Sequence, residues 1–290
     1  MNDIINISSY KFVNLAKERL PVLRELFRSK TREWGLKGTI LLSEEGINLF
    51  LAGTRDQIDT FGELLWGFPE FADMEFKESP SSDKPFTRML VKIKQEIIAM
   101  GVPEVKPADY TAPHLSAEEF KKWYEQGKDM IVLDTRNDYE VRVGTFDDAI
   151  ELDIKTFRDF PKAIEDLPEE YKDKPVVTFC TGGVRCEKAT PVMMEAGFKE
   201  VYQLDGGILK YFEECGSDYY HGDCFVFDKR VAVDGELNET PTIQCFSCRN
   251  PLTQDQFDKI EDDVCPYCAK SIGGKRALDR NDDAMHVRGE

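Results

Sequence analysis

The chain has 290 residues, of which 41% are hydrophobic and 32% charged, and its formal net charge is −17 at pH 7. This length accommodates about two domains, and the composition is that of a folded globular protein rather than a disordered one. The acidic total argues against a general nucleic-acid binder, because phosphate contacts need clustered lysines and arginines, although it is compatible with a local basic groove.

No segment of the sequence indicates a membrane or secretory destination. No apolar run approaches the roughly 18 residues of a transmembrane helix, and the first residues, Met1 to Asn6, lack the basic flank and apolar stretch of a signal peptide. We therefore expect a cytoplasmic protein without a membrane partner. In that setting the eight cysteines suit catalysis and metal binding better than disulfides.

The first hundred residues predict a small α/β domain. Two apolar runs flank Ser43-Glu44-Glu45-Gly46, which is typical of a β-hairpin. The predicted elements follow the order βαββαβ, at residues 4–13, 15–28, 38–42, 47–52, 54–65 and 89–99. This order favours a ferredoxin-like domain over residues 1–100.

A second α/β domain is predicted over residues 115–220, after a proline-rich linker at 101–114. Ser116 is expected to start its first helix, with Glu119 placed for a capping box. Short buried strands alternate with helices, which indicates a parallel sheet with reactive loops at the carboxyl ends of the strands. Residues 221–290 form a cysteine-rich C-terminal extension.

The segment Cys180-Thr181-Gly182-Gly183-Val184-Arg185 has the pattern of an anion-stabilising loop. The glycines let the backbone amides point inward, and a helix begins near Val184, so both features favour a negative charge on the Cys180 sulfur. Arg185 adds a fixed positive charge. We expect these influences to depress the thiol pKa and to make Cys180 nucleophilic. The alternative is a buried structural cysteine before a tight turn.

Four cysteines near the C-terminus have the spacing of a metal site. Two C-x-x-C pairs are separated by sixteen residues, and they comprise Cys245, Cys248, Cys265 and Cys268. Four thiolates at this spacing suit tetrahedral, structural zinc in a small zinc-ribbon-like tail. Reduced cysteines without metal, or a redox pair, are the alternatives.

The remaining cysteines have less distinctive surroundings. Cys186 follows the loop within the first helical turn and is either a resolving thiol for Cys180 or a small packed residue. Cys215 and Cys224 flank an aromatic stretch, for which a metal site is a weaker alternative to simple packing.

The loop around Cys180 resembles a rhodanese active site, in which an arginine follows the cysteine by five positions. Val132-Leu133-Asp134-Thr135-Arg136, followed by Glu140 and Gly144, resembles the family's first signature, and Leu204-Asp205-Gly206-Gly207-Ile208 resembles its closing one. Thr145-Phe146 departs from the usual His-Ile pair. The resemblance covers residues 115–220 and implies a rhodanese fold, with a loop length that favours a persulfide over a phosphorylated cysteine.

A closer resemblance is to the prokaryotic tRNA uridine(34) hydroxylases. The segments that carry it are Cys180–Ala189, Gly38–Leu42 with Glu45–Asn48, and Gly222–Asp228. It implies oxygen-dependent conversion of the wobble uridine of tRNA to 5-hydroxyuridine, with Cys180 and Arg185 as catalytic residues and molecular oxygen as co-substrate. The sequence contains no flavin, haem or nucleotide motif. The implied partner is tRNA rather than DNA, with a sulfur-donor protein as a second partner for a persulfide.

Candidate RNA contacts are six basic residues near the loop or on the strand that closes the first domain. They are Lys84, Arg88, Lys92, Lys94, Lys188 and Lys210. Even spacing places Arg88, Lys92 and Lys94 on one face of an extended strand. Phe86 and Tyr211 are candidate stacking partners for bases. A solvated charge or a packed ring is the alternative for each.

Three functions fit these patterns. The first is tRNA hydroxylation, in which Cys180 attacks the uridine ring or a persulfide reacts with oxygen first. The second is a rhodanese-type sulfurtransferase that carries a persulfide on Cys180. The third is a non-enzymatic, zinc-stabilised adaptor. The intact loop counts against the adaptor, and the Gly222–Asp228 segment counts against simple sulfur transfer.

Overall fold

The computed structural model describes residues 4–260 and 264–270. In its N-terminal domain two helices pack against a five-stranded sheet, and apolar side chains of alternating strand positions form the core between them. The elements in chain order are β1 (Ile4–Phe12), α1 (Arg19–Glu33), β2 (Lys37–Ser43), β3 (Gly46–Gly53), α2 (Arg55–Trp66), β4 (Lys77–Ser81) and β5 (Met89–Ile93).

The sheet order of this domain confirms the ferredoxin-like prediction and adds one strand to it. The strands lie in the order β4-β1-β3-β2-β5; β5 runs parallel to β2, and the other neighbours are antiparallel. The strand predicted to close the domain is the added edge strand β5. The true fourth strand, Lys77–Ser81, was missed because it has no apolar alternation and contains Pro80, which a sheet tolerates at its edge.

The central domain has the predicted parallel sheet, in the order β6-β11-β10-β7-β9, with β10 in its middle. Apolar clusters on both faces of this sheet bury its strands. The elements are β6 (His114–Leu115), α3 (Ala117–Glu125), β7 (Ile131–Asp134), α4 (Asp138–Val141), β8 (Gly144–Phe146), β9 (Ile150–Glu151), α5 (Phe160–Ala163), β10 (Pro175–Phe179), α6 (Val184–Glu195), β11 (Glu200–Leu204) and α7 (Gly207–Cys215).

The departure from the rhodanese pattern at Thr145-Phe146 lies on β8 and is accommodated by packing. The Thr145 hydroxyl donates a hydrogen bond of 2.9 Å to Asp134, and the Phe146 ring is fully buried among aromatic neighbours. Asp134 also pairs with the buried Arg136, whose guanidinium donates to the Gly144 carbonyl at 2.6 Å. These residues therefore connect β7 to β8 as structural hydrogen-bonding groups.

The C-terminal extension begins on the central domain and ends in a small separate cluster. Strand β12 pairs with β8, and the short pairs β13–β14 and β15–β16 follow. The elements are β12 (Tyr220–Gly222), β13 (Cys224–Phe225), β14 (Ala232–Val233), β15 (Ile243–Gln244), β16 (Pro251–Leu252), α8 (Gln254–Asp258) and α9 (Pro266–Lys270). The end of the predicted extension, residues 271–290, lies outside the described residues. Within the described ranges, no helix is long and apolar enough to cross a bilayer.

Candidate active site

Cys180 lies where β10 ends and before α6 begins, at the carboxyl edge of the parallel sheet. Its sulfur accepts a hydrogen bond of 3.1 Å from the Gly183 amide, and its side chain is almost fully buried. Gly183 has φ +98°, and a Cβ atom there would lie 2.8 Å from the Tyr10 hydroxyl. Both the left-handed backbone and the contact with the N-terminal domain therefore require glycine.

The surroundings of Cys180 lower the pKa of its thiol to about 5. Burial by itself raises this pKa, but a hydrogen bond from the Cys186 thiol, the charge of Arg185 and the amides of Arg185 and Gly183 outweigh it. Cys180 is therefore a thiolate at neutral pH, as the loop pattern predicts. A thiolate held by converging donors is the form that attacks electrophiles.

Arg185 has a partner that the loop pattern does not reveal. Its guanidinium forms a two-pronged ion pair with Glu140, at 2.6 and 2.7 Å, and both side chains are buried. The hydroxyl of Thr181 lies 3.5 Å from Glu140 and donates to the Phe225 carbonyl at 3.4 Å. Arg185 thus contributes charge to the site while Glu140 fixes its orientation.

Cys186 is fully buried on the inner side of the loop. Burial raises the pKa of its thiol well above the ordinary value, and the hydrogen bond to Cys180 and the Cys180 charge raise it further. The Thr135 hydroxyl lies 3.8 Å from its sulfur. Cys186 is therefore a neutral thiol that donates to the Cys180 thiolate, an arrangement compatible with both packing and a resolving role.

A cavity of about 1380 Å³ separates the two domains in front of Cys180. One wall is the sheet face of the N-terminal domain that α1 and α2 leave uncovered. Its lining residues alternate along the strands and comprise Ser8, Tyr10, Thr39, Leu41, Asn48 and Phe50. The opposite wall contains Cys180, Thr181, Gly182, Val184 and Arg185, with Phe227 of the C-terminal extension beside them. The loop predicted as reactive therefore faces a cavity that both domains build and that opens to solvent.

The domains are connected by two side chains of α6, those of Glu187 and Lys188. Glu187 accepts a hydrogen bond of 2.9 Å from the Tyr10 hydroxyl. Lys188, only 1% exposed, forms ion pairs of 2.8 Å with Glu45 and 2.7 Å with Glu96. These contacts hold the N-terminal sheet over the cysteine loop.

The four C-terminal cysteines lie together, although they come from two separate segments. Their sulfur atoms are all within 4.8 Å of one another, and two of the sulfur pairs, Cys245–Cys268 and Cys248–Cys265, are 3.8 and 3.5 Å apart. Tetrahedral zinc with Zn–S bonds of about 2.3 Å places its sulfur ligands about 3.8 Å apart. The cluster therefore fits a metal with four thiolate ligands. Among the described residues, neither Cys215 nor Cys224 joins such a cluster.

Comparisons with known proteins cover nearly the whole chain. Residues 4–97 match the UPF0176 acylphosphatase like domain, and residues 116–214 match the rhodanese-like domain. A protein of Cupriavidus necator named tRNA uridine(34) hydroxylase is 49% identical over 94% of this chain and 98% of its own length. A protein of Ralstonia nicotianae with the same name is 48% identical over 92% of this chain and 96% of its own length. The chain belongs to the tRNA uridine(34) hydroxylase family.

Membership of this family confirms the resemblance carried by the three sequence segments. The structure brings those segments to one place, since the Gly38–Leu42 strand and the Gly222–Asp228 segment both contribute lining residues to the cavity beside Cys180. The family's shared features thus converge on the space between the domains.

The basic residues predicted to contact RNA lie in different surroundings. Lys94 is exposed and lines the cavity, and Arg88 is exposed next to β5. The ammonium of Lys84 donates to the Gly35 carbonyl and to Gln57, away from the cavity. Lys92, on β5, is partly buried.

Lys188 and Lys210 are both engaged with carboxylates. The buried Lys188 pairs with the two glutamates described above, so its charge is not available to a phosphate. Lys210 pairs with Asp205 at 2.5 Å. The ring of Phe86 lines the cavity, whereas Tyr211 is buried in the hydrophobic core and donates to the Asp218 carbonyl. The geometry supports Lys94 and Phe86 as candidate RNA contacts and does not support Lys188 or Tyr211.

Sequence reasoning missed the residues that act across the domain boundary. Tyr10 lines the cavity against Gly183, and Lys77 on β4 has its ammonium 5.2 Å from the centre of the Tyr10 ring. Burial lowers the pKa of Lys77, while the charges of Asp205 and Cys180 raise it. No local pattern identifies these residues, because their role depends on how the two domains pack.

Proposed function

We propose that this protein hydroxylates the wobble uridine, position 34, of tRNA to 5-hydroxyuridine in the cytoplasm, with molecular oxygen as co-substrate. The observation that carries the proposal is the Cys180 thiolate in the wall of a cavity that both domains build. Relatives named tRNA uridine(34) hydroxylase align over both domains. A nucleophile in the wall of a largely apolar cavity suits attack on a flipped-out base.

The reaction we propose begins with the Cys180 thiolate. Its sulfur adds to C6 of the uracil ring, and the electrons of the C5–C6 double bond move onto C5 and the C4 carbonyl oxygen. C5 then bonds to molecular oxygen and gives a C5 peroxide. Two thiols reduce the peroxide and become a disulfide; one oxygen leaves as water and the other stays on C5 as a hydroxyl. Loss of the C5 proton expels Cys180 and restores the double bond.

Arg185 and Cys186 have separate parts in this scheme. The charge of Arg185 and the hydrogen bond from Cys186 keep Cys180 ionised before the attack. Cys186 is also a candidate for one of the two reducing thiols, because its neutral thiol lies against Cys180. Cys180 is bonded to C6 while the peroxide is reduced, so the second reducing thiol would be a small thiol from solution. The mixed disulfide that it forms with Cys186 would then be reduced by a second small thiol before the next turnover.

Rhodanese-type sulfur transfer is the second candidate function. The Gly183 amide and the other donors around Cys180 would stabilise a persulfide as well as a thiolate. A sulfur-donor protein would then be a second partner. The cavity argues for the larger substrate, because transfer of a single sulfur atom does not need a cavity of about 1380 Å³.

For the cluster of Cys245, Cys248, Cys265 and Cys268 we propose zinc with a structural role. Four cysteine thiolates would fill the tetrahedral ligand positions of zinc, so no position would be left for a substrate. The hydrophobic residues packed around the cluster are few, with Leu252 as its fully buried aliphatic side chain. Zinc when bound would hold together a segment whose apolar core is small.

Mass spectrometry of tRNA nucleosides tests the proposed reaction. Cells that lack the gene are complemented with the wild-type chain, with Cys180→Ser, or with Cys215→Ser, which changes a half-buried thiol outside the cavity lining. We expect 5-hydroxyuridine with wild type and Cys215→Ser and none with Cys180→Ser. Wild-type levels with Cys180→Ser would refute the catalytic role. Thiosulfate–cyanide transfer by the purified chain, with no change in tRNA, would support the second candidate.

A further inference from the structure

Three cations stand at the mouth of the cavity. Lys17 precedes α1, Lys94 follows β5, and Arg158 lies between β9 and α5 of the central domain. All three are exposed, and within the described residues none forms an ion pair with a carboxylate. The two domains thus present unneutralised positive charge around one opening.

The charged groups deeper in the site, unlike these three cations, form ion pairs. Arg185 is paired with Glu140, and Glu96, which also lines the cavity, shares Lys188 with Glu45, so that these three residues keep one net negative charge. Glu44 is an exposed carboxylate of the lining without an ion pair in the described part of the chain. The opening therefore carries net positive charge on a chain whose total is −17.

The walls behind this opening suit a base rather than a protein side chain. The rings of Phe50, Phe86 and Phe227 line the cavity, and each offers a flat apolar face. Unpaired bases of single-stranded RNA stack on such rings at about 1–3 kcal/mol per base. A typical small-molecule pocket measures roughly 300–1,000 Å³, so a volume of about 1380 Å³ accommodates more than one small ligand.

We propose that Lys17, Lys94 and Arg158 bind the phosphates on either side of one flipped-out nucleotide of a single-stranded RNA loop. The base enters between the aromatic rings and reaches Cys180, while the backbone stays at the mouth. Cations from both domains then contact the same strand, and the acidic remainder of the surface repels the rest of the RNA. The inference rests on the proposed function, which supplies RNA as the substrate.

Salt-dependent binding measures this contact directly. The ligand is a fluorescein-labelled anticodon stem-loop, titrated at several salt concentrations with protein that carries Cys180→Ser, so that turnover cannot interfere. The slope of log K against log salt is negative, and each lost phosphate contact reduces its magnitude by about 0.7 for a single strand. We expect this loss for Lys17→Gln, Lys94→Gln and Arg158→Gln, and a loss of about 2 for the triple variant.

Arg28→Gln and Lys162→Gln are the matched controls. Both residues are exposed cations without an ion pair among the described residues, one in each domain, and neither lines the cavity. Each control changes the net charge as much as the substitution of Lys17, Lys94 or Arg158 does; these three substitutions are the rim variants. Equal slopes for the rim variants, the controls and the parent protein, or no binding of the stem-loop, would overturn the inference.

Nucleoside analysis in cells separates this inference from the proposed function. If the rim variants show the expected smaller slopes, but cells show no Cys180-dependent 5-hydroxyuridine, the RNA contact is supported and the reaction is refuted. Hydroxylation by the wild-type chain, with unchanged slopes for the rim variants, would support the reaction and refute the contact.

Discussion

The hydrogen bond from Cys186 to the Cys180 thiolate can be removed by a single substitution. Cys186→Ala deletes the donor and leaves Arg185 and the loop amides in place. A hydrogen bond to a charged group contributes about 1.5–3 kcal/mol, and one pKa unit corresponds to about 1.4 kcal/mol. We therefore expect the pKa of Cys180 to rise by about one to two units, from about 5 to between about 6 and 7.

The rate of alkylation at Cys180 measures this change. Iodoacetamide is applied between pH 4 and 9, and modification is followed by peptide mass spectrometry, which distinguishes Cys180 from the other cysteines. Cys215→Ala is the control, because this half-buried thiol lies outside the cavity lining. An identical midpoint for Cys186→Ala and wild type would show that the amides and Arg185 alone hold the thiolate, and the reasoning would fail.

Three further predictions concern stability and metal content. Arg185→Met leaves the buried Glu140 unpaired and should cost about 3–5 kcal/mol of unfolding free energy in urea; the double variant with Glu140→Gln should recover most of it, and an equal loss would contradict a charge effect. Elemental analysis should find about one zinc ion per wild-type chain and nearly none in Cys245→Ser. A wild-type chain without zinc, or a variant that keeps it, would contradict the assignment. Because the pKa of Cys180 is depressed in the folded chain, its stabilising contribution is present above about pH 8.5 and is lost as pH falls through about 5. As the pH is lowered across that range, the unfolding free energy of wild type should therefore decrease relative to that of Cys180→Ser. A difference between the two that does not change with pH would refute the linkage.

The cysteine loop could be predicted from sequence because its determinants are local. A strand end, two glycines, a helix start and Arg185 follow one another within seven residues, and together they dictate the donors around Cys180. The same holds for the C-x-x-C pairs, whose spacing alone brings each pair within reach of one metal. The catalytic role of Cys180 stays a prediction.

Partners distant in sequence could not be predicted in the same way. Glu140 resembles an element of a family signature, yet nothing in its sequence surroundings identifies it as the ion-pair partner of Arg185. Lys188 follows the loop closely and its charge predicts an RNA contact, but the packing of the domains buries it between two carboxylates. A charge pattern shows which residues are cationic, and only the tertiary structure shows which of them are already neutralised.

The position of the N-terminal sheet follows from the first turns of α6 and decides what reaches Cys180. Glu187 binds Tyr10, and Lys188 binds carboxylates of the N-terminal half, so the helix that carries the loop also fixes the uncovered sheet face opposite it. Phe227 closes another side. A thiolate covered in this way is reached through the cavity, past exposed cations and aromatic rings. Rings on which a base can stack favour a base extruded from a nucleic-acid loop over a small sulfur donor.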